Sequence, residues 1–170
     1  MSDVMPERSS TQQACAGLIE QALDAKRLLR PEFVIAQGFG ARIFADYIGP
    51  EEFGRAVELA RADGPTDIIL HHAEFGAEEQ RSVFQDADTA WAAIFDLSHE
   101  DQIVQFEDRD LYLWLPSGEH LFVAFGDRRL LAGLGNPEEA AAAFDDYVQN
   151  AGLTEQGRSF LRACALKYSI

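Results

Sequence analysis

The stretch QIVQFEDRDLYLWLPSGEHLFVAFGDRRLLAGL, residues 102–134, decides the fold prediction. Short runs rich in apolar and aromatic residues lie at 102–107, 110–116, 119–125 and 129–134, and turns rich in Asp, Pro and Gly separate them. This pattern is typical of consecutive antiparallel strands. We therefore expect an α+β fold, a single domain with a central antiparallel β-meander of three to five strands.

Side chains in these runs alternate in direction, because successive residues of a strand point to opposite faces of a sheet. Leu111, Leu113 and Leu115 share one face, while Tyr112 and Trp114 share the other. Both faces are therefore apolar, and both need cover. We expect helices from the N- and C-terminal parts of the chain on one face, and either more protein or a partner on the other.

Capping residues mark helix starts outside the meander. Gly49-Pro50-Glu51-Glu52 predicts a helix that runs to about residue 62, because proline suits the first helical position and acids suit the positive end of the helix dipole. Asn136 and Thr154 are expected to cap two later helices, since their side-chain oxygens accept from free backbone N–H groups.

The remaining segments are less regular. We expect a first helix over about 15–29, a buried strand over 67–73 and a long helix over 78–97. The stretch 31–49 is ambiguous, with a short strand at 33–36 and a helical turn at 41–48 as its best interpretation. Residues 1–10 are predicted to be a disordered tail and residues 11–170 a single domain.

No apolar run in the 170 residues approaches the roughly 18 residues of a membrane span. The polar N-terminus lacks the apolar stretch of a signal peptide, so a cytoplasmic location is expected. Cys15 and Cys164 are the two cysteines, and both fall on apolar helical stripes. Two buried thiols are expected, and a disulfide joining the first helix to the last is the alternative.

The chain carries a net charge of −15, which disfavours nucleic acid and anionic membranes as partners. Residues 51–110 hold 16 carboxylates and four arginines, and so account for −12 of this charge. Acidity of this kind keeps a protein soluble, but it also suits an acidic face that steers a basic partner into contact. We predict such a face, in a monomer or a homodimer.

The predicted partner-binding residues are the acids of this segment together with an aromatic patch on the sheet. The patch is expected to combine Tyr112, Trp114 and Phe122, since aromatic residues are enriched in binding cores. Packing in the core is the alternative for the three rings. The acids are Glu74, Glu78, Glu79, Asp86, Asp88, Glu100, Asp101, Glu107, Asp108 and Asp110.

The histidines invite a metal hypothesis that strand geometry disfavours. His71 and His72 are neighbours on a predicted strand, so they point to opposite faces and cannot both reach one ion. His72 and Glu74 share a face, but two ligands are too few for a closed zinc site. His99 and His120 would complete a site only if the fold brought them close. No metal and no cofactor are therefore predicted.

Other catalytic signals are weak. Gly38-Phe39-Gly40 lacks the third glycine of a dinucleotide fingerprint, and Asp108-Arg109-Asp110 lacks the further ligands of a calcium loop. The chain has no P-loop and no G-x-S-x-G elbow. No enzymatic activity and no catalytic residue are therefore predicted.

The expected function is a small acidic bacterial binding protein that neutralises a basic protein partner. An immunity protein that masks a bacterial toxin fits this description, because it needs an acidic face and an apolar anchor but no catalytic group. A secretion-type chaperone, which holds an effector along its sheet, is one alternative. A hydrolase or ligand-binding enzyme that uses histidines is the other.

Overall fold

The computed structural model describes residues 17–170 and places one six-stranded antiparallel sheet at its centre. Across the sheet the strands lie in the order β1, β6, β5, β4, β2, β3. The α+β class is confirmed, with six strands instead of three to five. In chain order the strands are β1 Gly40–Ala45, β2 Ile68–Ala73, β3 Gln80–Phe84, β4 Asp101–Phe106, β5 Leu111–Leu115 and β6 Leu121–Gly126.

The helices begin where capping chemistry predicts in three cases. The Glu52 carboxylate accepts from the Gly49 N–H at 3.1 Å, Asn136 Oδ1 accepts from the Glu138 N–H at 2.8 Å, and Thr154 Oγ1 accepts from the Gly157 N–H at 3.0 Å. The helices are α1 Leu18–Ala22, α2 Pro31–Ala36, α3 Pro50–Ala60, α4 Ala87–Asp96, α5 Arg128–Ala132, α6 Pro137–Asn150 and α7 Glu155–Lys167.

The three strands of the meander lie where the sequence predicts them, and the fourth run does not. Residues 129–134 belong to helix α5, because the Asp127 side chain accepts from the Arg129 N–H at 2.7 Å and caps a helix there. The predicted long helix over 78–97 divides into strand β3 and helix α4. The Asp86 side chain caps α4 and so fixes this division.

The ambiguous stretch 31–49 has the opposite structure to the one expected. Residues 33–36 belong to helix α2, which begins at Pro31, and the predicted helical turn at 41–48 is largely strand β1. Strand β1 pairs with β6 along its whole length, so tertiary pairing overrides its local preference. The first helix is also shorter than expected, because the chain leaves it at Leu23 and pairs with Leu29.

Helices cover both faces of the sheet. On one face, helices α1, α2, α6 and α7 enclose a first core that contains Ile103, Trp114 and Val123. On the other face, α3, α4 and α5 enclose a second core that contains Val104 and Leu113. The terminal helices therefore cover one face as expected, and helices from the middle of the chain, not a partner, cover the other.

The first core also contains the last helix and its thiol. Cys164 is a buried, unbridged cysteine, and burial raises the pKa of its thiol to about 11. Tyr168 donates its hydroxyl to the Leu29 carbonyl at 2.7 Å and so ties the end of α7 to the segment before α2. Cys15 and the predicted tail at 1–10 lie outside the described residues, so the alternative of a disulfide concerns a residue that is not described.

Candidate functional site

The sheet has two ends, and the strand connections place charged residues at both. The upper end is defined by the ends of β1, β2 and β5 and by the starts of β3, β4 and β6. The lower end is the opposite edge of the same strands. Strands of five or six residues rise about 3.4 Å per residue, so the two ends are separated by about 17 Å.

The ten predicted acidic contacts do not lie on one face, which corrects the expectation of a common acidic surface. Each hairpin returns the chain to the opposite end, so residues close in sequence are divided between the two ends. The upper group is Glu74, Glu78, Glu79, Glu100 and Asp101, and the lower group is Asp86, Asp88, Glu107, Asp108 and Asp110.

Three carboxylates of the upper group already have partners within the fold. Glu79 accepts from the Ile19 N–H at 2.5 Å, and Glu100 lies 2.8 Å from His72 Nδ1 in a buried pair. Asp101 is also buried; desolvation raises the pKa of its carboxyl, although it accepts from the Ser117 N–H at 3.1 Å. Glu74 and Glu78 remain as the exposed carboxylates of this group.

The lower carboxylates lie among arginines. Arg109 stands between Asp108 and Asp110 and donates to the Ala60 carbonyl at 2.9 Å. Asp86 accepts from the Thr89 hydroxyl and N–H, and these bonds, together with the charge of Arg61, lower the pKa of its carboxyl. The lower group is therefore partly neutralised, and one of its members serves as a helix cap.

The turn between β2 and β3, residues 74–79, forms what we call the acidic turn. At its tip the side chain of Phe75 is 78% exposed, with Glu74 and Glu78 exposed beside it. The Arg27 guanidinium lies 5.9 Å from the centre of the Phe75 ring and donates to the Glu74 carbonyl at 3.3 Å. Sequence reasoning missed Phe75, and the only signal was a single aromatic residue within an acidic turn.

The predicted aromatic patch does not form, because its members belong to different faces. Phe122 belongs to the second core, whereas Trp114 and Tyr112 belong to the first. Trp114 is 0% exposed, so it is not available to a partner. Tyr112 is half-buried and stacks on Phe125 at 5.0 Å between ring centres. Core packing, the alternative weighed for these rings, describes Trp114 and Phe122.

The four histidines all lie at or near the upper end, each beside a carboxylate. His71 and His72 point to opposite faces, as strand geometry predicts: His71 Nε2 lies 2.8 Å from Gln105 Oε1, and His72 contacts Glu100. Within residues 17–170 no group of three or more side chains is placed to hold a metal ion. The other pairs are His71–Glu79 at 4.0 Å, His99–Glu74 at 3.7 Å and His120–Asp46 at 3.6 Å.

A second feature of the upper end is an apolar cleft of about 640 Å³, which we call the upper cleft. It lies between the start of α3, helix α4 and the β5–β6 hairpin. Trp91, Phe95, Leu115 and Phe122 line its walls, and Gln102 also lines it. His99, at the mouth, pairs with Glu74 of the acidic turn, so the cleft and the turn are neighbours.

No protein-family model, no curated protein and no solved structure matches this chain. Along residues 17–170, none of the helices is both long enough and apolar enough to cross a bilayer. The functional argument therefore rests on the geometry of the upper end, where the exposed carboxylates, the exposed ring and the cleft lie together.

Proposed function

We propose that this protein is an acidic binding protein that captures and masks a basic protein partner, and that the acidic turn is its central contact. The observation that carries the proposal is the exposed Phe75 ring between two exposed carboxylates, Glu74 and Glu78. An aromatic anchor within a charged rim is the composition of many protein-binding hot spots.

The charge supports capture of a basic surface. A net charge of −15 attracts a cationic protein over a distance of about one Debye length, roughly 10 Å at 0.1 M salt. Close to the surface, the Phe75 ring already accepts one guanidinium, that of Arg27. A basic side chain of a partner would make the same cation–π contact and pair with the flanking carboxylates.

A bacterial toxin is the partner that we propose, and the protein would then be its immunity protein. Masking a toxin requires tight contact and no chemistry. The secretion-chaperone alternative requires a surface that holds an extended segment, and helices cover both faces of this sheet. The hydrolase alternative requires an activated nucleophile, and Ser117 donates its hydroxyl to the His99 carbonyl rather than to an imidazole.

Reversing the two exposed charges of the acidic turn is expected to abolish capture. We predict that the double variant Glu74→Lys/Glu78→Lys binds the partner about 100-fold more weakly, because placing like charges against each other in an interface costs several kcal/mol. The measurement is the affinity for the basic protein that the immobilised wild type retains at low salt from an extract of the encoding organism.

The matched control is Glu107→Lys/Asp110→Lys, which changes the net charge equally at the lower end. We expect its affinity to fall by no more than about threefold, since only long-range attraction is reduced. Equal losses for the two double variants would show that net charge, and not the acidic turn, is recognised. Retention of no basic protein at low salt would contradict the proposal itself.

A further inference from the structure

The upper cleft has the size and lining of a small-molecule site. Its volume of about 640 Å³ falls within the range of roughly 300–1,000 Å³ that is usual for ligand pockets. Its walls are largely aromatic: Trp91 and Phe122 lie deep in it, while Phe95 is 69% exposed at the mouth. Such walls favour a flat aromatic ligand, which can stack on one ring and meet another edge-on.

A buried polar atom at the cleft adds a requirement for a hydrogen-bond donor. Gln102 is only 2% exposed, and its amide nitrogen donates to the Ile94 and Leu97 carbonyls at 3.1 and 2.8 Å. These two bonds fix the amide orientation, and Oε1 is left without a partner among the described residues. Buried acceptors are almost always bonded, so a donor from a ligand would satisfy an atom that the fold does not.

The mouth of the cleft carries negative charge. Glu74 lies 3.7 Å from His99, which lines the cleft. Asp46 precedes Tyr47, another lining residue, and lies 3.6 Å from His120, whose ring is 5.0 Å from that of Tyr47. With carboxylates beside two lining residues and a net charge of −15, an anionic ligand is disfavoured and a cationic one is attracted.

We propose that the upper cleft binds a small aromatic amine, a molecule with a flat ring, a ring N–H donor and a positively charged side arm. The ring would fill the aromatic walls, the N–H would bond to Gln102 Oε1, and the ammonium group would face the carboxylates at the mouth. This site goes beyond partner capture and does not depend on it, because it requires only the purified protein.

Calorimetric titration with three matched probes tests each part of the proposal. Tryptamine carries all three features, 1-methyltryptamine lacks the ring N–H, and indole-3-propionate replaces the cation with an anion. We expect tryptamine to bind best, with the N-methyl probe about tenfold weaker because the buried oxygen stays unpaired. The anionic probe should bind about tenfold more weakly or worse. Equal affinities for the three probes, or no binding of tryptamine, would overturn the proposal.

A variant that blocks the cleft locates the binding. Ser98 is an exposed lining residue, so Ser98→Trp places a large ring at the cleft with little risk to folding. We expect it to lose tryptamine binding, while Leu166→Trp, a change at an exposed position on α7, binds normally at an unchanged Tm. Normal binding by Ser98→Trp would overturn the assignment.

A peptide probe separates a free ligand from a protein side chain. The peptide acetyl-Lys-Trp-Lys-amide offers the same ring and charge on a backbone. We expect it to bind more weakly than tryptamine, because the cleft lies between packed helices. Binding of the peptide without binding of the free amine would overturn the proposal and assign the cleft to a protein partner.

Discussion

Replacing Trp114 with alanine is expected to destabilise the fold by about 3–5 kcal/mol, the cost of removing a large ring from a packed core. Trp114 is 0% exposed, lies on the interior strand β5 and contacts the Tyr168 ring at 5.7 Å between centres. Its loss would leave a cavity between the sheet and α7. Urea unfolding monitored by circular dichroism measures the change.

The contrasting substitution is Phe75→Ala, at an exposed ring on the acidic turn. We expect it to change stability by less than about 0.5 kcal/mol, because surface substitutions rarely do more. Its effect should be on partner affinity instead. A Trp114→Ala variant that unfolds at the urea concentration of the wild type would contradict the assignment of this residue to the core.

Gly126→Ala is expected to destabilise the fold by about 3 kcal/mol or more, since a non-glycine residue in this backbone region costs 1–3 kcal/mol before any clash. Gly126 ends β6 with φ near +149°. An added Cβ would lie 2.0 Å from the Asp110 carbonyl oxygen, a backbone atom that cannot move independently. That oxygen also accepts from the Asp127 N–H at 2.8 Å, so a shift would disrupt the lower end of the sheet.

Gly54→Ala is the matched control, the same substitution in the interior of helix α3. Nothing lies within 4 Å of the added Cβ, and we expect a stabilisation of up to about 1 kcal/mol from helix propensity. Thermal denaturation of the two variants measures both effects. If Gly126→Ala were as stable as wild type, the close approach of β5 and β6 at this residue would be wrong.

The meander could be predicted from the sequence because its signals are local. The alternation of Leu113 and Trp114 specifies two faces, and the structure places these residues in the two different cores. Caps such as Asn136 and Thr154 also act within one helical turn, so helices α6 and α7 begin where their sequence indicates.

The other elements could not be predicted because distant pairing determines them. Strand β1 contains two small residues and an arginine and has no clear strand pattern, but it pairs with β6 at the edge of the sheet. Strand β3 alternates exposed and half-buried residues, so its weak apolar signal was interpreted as the start of a helix. Its pairing with β2 determines its conformation.

The distribution of charge shows the limit of composition as a guide to a surface. Net charge over 51–110 is correct as arithmetic, but each hairpin places successive acids at alternate ends of the sheet. Glu100 and Glu107 are seven residues apart in sequence and lie at opposite ends of β4. Which carboxylates are buried, as Glu100 is beside His72, depends on contacts between strands that composition does not record.

The most direct test of the acidic turn as the contact for a basic partner is amide hydrogen exchange in the presence and absence of the captured protein. We predict that exchange at residues 74–79 slows by about tenfold or more in the complex, because binding excludes solvent and opposes local opening. Exchange at residues 107–110, at the other end of the sheet, should be unchanged. Protection of residues 107–110 with no change at residues 74–79 would contradict the account.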